Sequence, residues 1–108
     1  MDENERKALL RRFHEQMLGV YERALDECKY PATRFLRLVS EQGGFEAART
    51  LLTKEVLSYG FEKLWECRRL DLTMEVLVLH EPWRQLFSNE ELETARRRLA
   101  DLGYEVEG

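Results

Sequence analysis

The spacing of apolar positions predicts helix along nearly the whole chain. From Asn4 to about Cys28, Leu10, Phe13, Met17, Tyr21, Ala24 and Cys28 recur at steps of three and four, the repeat that lines one face of an α-helix. Leu9, Leu18, Val20 and Leu25 widen that stripe beyond a two-helix seam, so the first helix should pack against several neighbours, with Gly19 a candidate for close approach by one of them. A short second helix follows in "KYPATRFLRLVSEQGG", with Pro31 in its first turn and Gly43-Gly44 as its stop. A third carries Phe45, Ala48, Leu51, Leu52, Val56 and Leu57, and Gly60 closes it.

In "FEKLWECRRL" the face Phe61, Leu64, Trp65 and Arg68 predicts another short helix with Trp65 in the core. The chain should turn at Leu70 and Asp71, where Asp71 is positioned to cap the helix that follows. The run Val76-Leu77-Val78-Leu79 suits a strand or a buried helix. Helix is the better reading, because a strand needs partners and only the terminal "YEVEG" resembles one. Pro82 limits "EPWRQLF" to a short turn, leaving Trp83 beside Arg84 as a candidate exposed pair. Ser88 and Glu91 then form a capping box ahead of Leu92, Ala95, Leu99 and Leu102, with Gly103 as the stop. The expected fold is all-α: one compact bundle of five or six helices with a long first helix, spanning residues 1–108 without a linker or repeat.

Charge narrows the partners. The net charge of -4 is uneven: residues 1–54 carry 10 basic and 9 acidic side chains, and residues 55–108 carry 7 and 12. A molecule-wide basic footprint for nucleic acid is therefore absent, although a local arginine patch is compatible with these numbers. Arg34, Arg37, Arg68 and Arg69 accompany apolar residues in short helices, where they suit either carbonyl groups at helix ends or a ligand. Glu90, Glu91 and Glu93 at one end of the last helix, and Arg96, Arg97 and Arg98 toward the other, match the helix dipole.

The chemistry-bearing residues do not assemble into a catalytic or metal-binding motif. His80-Glu81 lacks the second histidine one turn on, since position 84 is Arg84, and Pro82 interrupts the helix that a zinc-protease motif needs. His14, Cys28, Cys67 and His80 are too widely spaced for a structural zinc site, and read as two surface histidines and two reduced, buried thiols. No serine lies in a nucleophile-elbow pattern, and Gly43-Gly44 is too short to cradle a phosphate. No apolar run reaches the ~20 residues of a membrane span, and "MDENERK" lacks the order of a secretory signal. The expectation is a cytoplasmic, non-enzymatic protein with no cofactor or metal and no membrane partner.

"YPATRFLRLV", "GGFEAARTLL", "GFEKLWECRRLDLTMEVLVL" and "LFSNEELETARRRLADLGY" together resemble an uncharacterised bacterial helical domain, over about residues 30–104. That domain stands alone or is attached to larger proteins, sometimes beside restriction or anti-phage-defence machinery. The resemblance implies a compact helical module and carries no catalytic residues with it. The leading expectation is a protein-interaction or adaptor module regulating a larger nuclease-like or defence assembly, with Arg34, Arg37, Arg68, Arg69, Trp83 and Arg84 as its candidate surface. The alternative is a nucleic-acid-binding module that uses the arginines.

Overall fold

The computed structural model describes residues 1–53 and 60–106. It contains six α-helices and, among the described residues, no strand: α1 (Glu3–Cys28), α2 (Thr33–Gln42), α3 (Gly44–Thr53), α4 (Phe61–Glu66), α5 (Met74–Leu79) and α6 (Asn89–Asp101). Two 3₁₀ turns, Leu70–Leu72 and Trp83–Leu86, join α4 to α5 and α5 to α6. The expected Val56 and Leu57 face lies outside the described residues.

The 26-residue α1 is the spine. Asp2 starts it by accepting from the Glu5 amide at 2.8 Å, and Lys29 ends it in the left-handed conformation. Its buried face is Leu9, Phe13, Met17, Val20 and Ala24, so the stripe is rotated slightly from the expected one: Leu10 and Tyr21 are half-buried and Leu25 is exposed. α3 packs across this face at very short range. A Cβ placed on Gly44 would lie 2.6 Å from the His14 Cα, so only glycine lets the two backbones approach. The Gly44 amide uses that proximity, donating to His14 Nδ1 at 2.9 Å. His14 is thus a half-buried cap for α3 rather than a surface histidine. At Gly19 the nearest atoms among the described residues belong to Arg23 of the same helix rather than to a second helix.

Around this spine one core cluster gathers Phe13, Met17, Phe35, Val39, Leu51, Phe61, Val78, Trp83, Leu92 and Leu99, taken from every helix. α5 is a helix because Thr73 caps it: its hydroxyl accepts from the Val76 amide at 3.3 Å and donates to the Leu70 carbonyl at 2.7 Å. Asp71 does not perform that role, since it precedes the first helical residue by three positions and binds Arg69 instead. α6 has the expected capping box, with Ser88 and Glu91 exchanging bonds of 2.8 and 3.1 Å. Gly103, at φ 78°, ends it through paired bonds from Tyr104 to Leu99 and from Gly103 to Ala100.

A buried ion pair joins the last two helices. Arg98 Nη1 donates to Glu75 Oε2 at 3.1 Å, with Glu75 fully buried and Arg98 6% exposed. Charge order along α6 matches Arg98 to the helix dipole, and Arg98 does stand in the last turn. Its position one residue before Leu99, on the face toward α5, also places it inside.

Candidate interaction surface

The six candidate residues do not share one surface. Arg34 and Arg37 stand exposed on α2, where with Leu38 and Glu41 they line an open depression of about 300 Å³. Trp83 is buried, its ring 5.9 Å from Phe13 and covered by the Arg12 guanidinium at 5.6 Å. The expectation that Trp83 is exposed is therefore corrected, because the turn after Pro82 folds back onto α1. Arg84 is half-buried and 3.6 Å from Glu81. Arg69 lies at the other end of α1, with its Nη1 2.6 Å from Glu27. Roughly fourteen residues of α1, about 21 Å of helix, separate Phe13 beside Trp83 from Glu27 beside Arg69.

The two tryptophans exchange the places expected of them. Trp65 is 46% exposed, and with Met1 and Leu25 it completes the set of large hydrophobic side chains exposed among the described residues. The cause is the brevity of α4: in six residues Phe61 and Leu64 occupy the buried side, and Trp65 lies 100° past Leu64 around the helix.

What surrounds Trp65 is a built corner. Cys28, the last residue of α1, is bridged to Cys67, the residue that ends α4, with Cα atoms 6.1 Å apart. This overturns the expectation of two reduced, buried thiols. A sequence separation of 39 carries no recognisable pairing signal, and the pair meets only because two helix ends converge. Neither cysteine is fully buried. Beneath the bridge lies a small apolar cluster of Ala24, Leu64 and Leu72, apart from the main core.

α4 stops at this corner by a double-bonded C-terminal turn: the Arg69 amide donates to Leu64 and the Arg68 amide to Trp65. That geometry places Arg68 at φ 64°, the left-handed conformation that glycine usually supplies. Arg68 is exposed and, among the described residues, makes no ion pair. Arg69 does the opposite. It clamps both Asp71 oxygens at 3.0 and 3.1 Å while reaching Glu27 at 2.6 Å, so one guanidinium ties the corner to α1. The hydrogen bonds that Arg69 donates to Asp71 and Glu27 raise its pKa further, and the Arg69 guanidinium holds the Asp71 carboxyl below its ordinary value against the opposing effect of burial.

Among the described residues no group of three or more His, Cys, Asp or Glu side chains is placed to hold a metal ion. His80 is exposed at the end of α5, far in sequence from His14. Among the described residues, no helix is long and apolar enough to cross a membrane. The chain matches no family model, no curated protein and no solved structure.

Proposed function

We propose that this protein is a non-enzymatic interaction module whose recognition surface is the Cys28–Cys67 corner, centred on Trp65. The observation that carries this reading is a tryptophan 46% exposed on a rigidly tied corner. Tryptophan and arginine are the residues enriched at energetic centres of protein interfaces, and a preordered corner loses little entropy when it docks. Arg68 supports the same surface, being exposed and held in a backbone conformation unfavourable to any residue but glycine. The partner class is a larger nuclease-like or defence assembly, as the resemblance of residues 30–104 implies.

The test is a tagged pull-down from host lysate, split into nuclease-treated and untreated halves and read by mass spectrometry and nucleic-acid staining. A stoichiometric protein retained after nuclease with the parent chain, and lost with Trp65→Ala or Arg68→Ala but not Arg97→Ala, is the expected result. A second reading has its own observation: Arg34 and Arg37 are exposed one turn apart on α2. If nucleic acid is recovered instead, with binding that weakens steeply with salt and falls on Arg34→Ala, the arginine-patch reading replaces the first.

A further inference from the structure

The Cys28–Cys67 bridge joins two residues that are each only partly buried, which leaves it open to attack by a small thiolate from solution. Among the described residues, one small apolar cluster lies beneath the corner that the bridge closes, with Cys28 and Tyr30 packed against it. Leu64 and Leu72 rest on Ala24 in a three-residue cluster, whereas Phe61 and Leu70, on either side of the α4 turn, belong to the main core. Among the described residues, the segment between those two anchors is held by the bridge, by that cluster with Tyr30, by the flank of Leu64 toward Val20, Phe35 and Met74, and by the Arg69 links to Glu27 and Asp71. The rest of the core is built on α1, α2, α3, α5 and α6 and includes neither cysteine.

We propose that Cys28–Cys67 is a reversible redox latch that sets the presentation of Trp65. In the reducing step a small dithiol attacks one sulfur as its thiolate, forming a mixed disulfide and releasing the other cysteine. The second thiol of the dithiol then displaces the first cysteine. Cys28 and Cys67 each gain one electron and one proton, and the dithiol leaves as a cyclic disulfide. Residues 62–69 are thereby released between Phe61 and Leu70, which keep the chain fastened to the core. As a control over binding, the latch rests on the interaction reading above; as a conformational device it does not.

Hydrogen exchange read by mass spectrometry tests it on the full chain, oxidised and in dithiothreitol. The expected result is a fall in protection of about tenfold or more in peptides covering residues 62–69 and the last turn of α1, with less than about twofold change in the peptides of α3 and α6. The Cys28→Ser, Cys67→Ser double variant should show the open pattern without reductant. Uniform loss of protection makes the bridge a global staple and overturns the proposal, as does an unchanged pattern or the finding of two free thiols in the purified protein. Capture of a partner that is insensitive to Trp65→Ala defeats the interaction reading and leaves the exchange result standing.

Discussion

At the residue scale, neighbours in sequence with similar chemistry have opposite roles, and helical phase decides which. Arg97 and Arg98 adjoin in α6, yet Arg97 is exposed while Arg98 is buried against Glu75. Removing Arg98 takes away one partner of a fully buried carboxylate, so Arg98→Met is expected to lower stability by about 1.5–3 kcal/mol, the loss of a charge-assisted hydrogen bond. Arg97→Met should change it by less than about 0.5 kcal/mol. Urea unfolding of both variants checks the contrast. The same dependence on phase explains the exchange of Trp65 and Trp83. Trp65 sits at the border of an apolar face, and a helix of six residues is too short for periodicity to say whether that border is covered. Trp83 sits in a 3₁₀ turn with no helical period, and its burial follows from Phe13 and Arg12, some seventy positions earlier.

At the element scale, local signals are strong where a helix end has its own chemistry. The Ser88 capping box, the Gly103 stop and the long α1 are readable because each depends on residues within four or five positions, whereas α5 is readable as helix only because the chain offers a strand no partners, its cap being Thr73 and not Asp71. The cap at the start of α3 and the stop at the end of α4 are not readable, for opposite reasons. α4 stops on Arg68 where glycine is the usual signal, and α3 is capped from a different helix by His14. That cap depends on Gly44, which also places the backbones of α1 and α3 against each other. Gly44→Ala adds a methyl 2.6 Å from the His14 Cα and must push α3 away, lengthening the bond to His14. The intrinsic preference of helices for alanine would favour the variant by about 1 kcal/mol, whereas overpacking opposes it by about 1–3 kcal/mol and rises when backbone must move. A net loss of stability is expected, and a Tm equal to or above the parent's would refute the close-approach account.

At the scale of the whole molecule, two arginines tie distant elements together through carboxylates. Arg69 joins Asp71 to Glu27 and so the corner to α1, while Arg49 reaches Glu91 at 2.9 Å and so joins α3 to the first turn of α6. Burial pushes the Glu91 carboxyl upward, but bonds from the Ser88 amide and the Arg49 side chain outweigh it and the net shift is downward; Asp71 is lowered by Arg69. A depressed carboxyl binds its proton more weakly folded than unfolded. Its contribution to stability is therefore complete above the unfolded value of about 4 and is lost as pH falls through the lower folded value. The urea midpoint should stay level from pH 7 to about 5 and decline below about 4. Arg49→Met removes one of the interactions that lower Glu91, so parent and variant should differ at pH 7 and converge as the pH approaches about 2, where Glu91 is protonated in both. A gap that persists undiminished at low pH would mean that Arg49 stabilises through its packing on Phe45, 5.6 Å from the ring centre, rather than through the carboxylate.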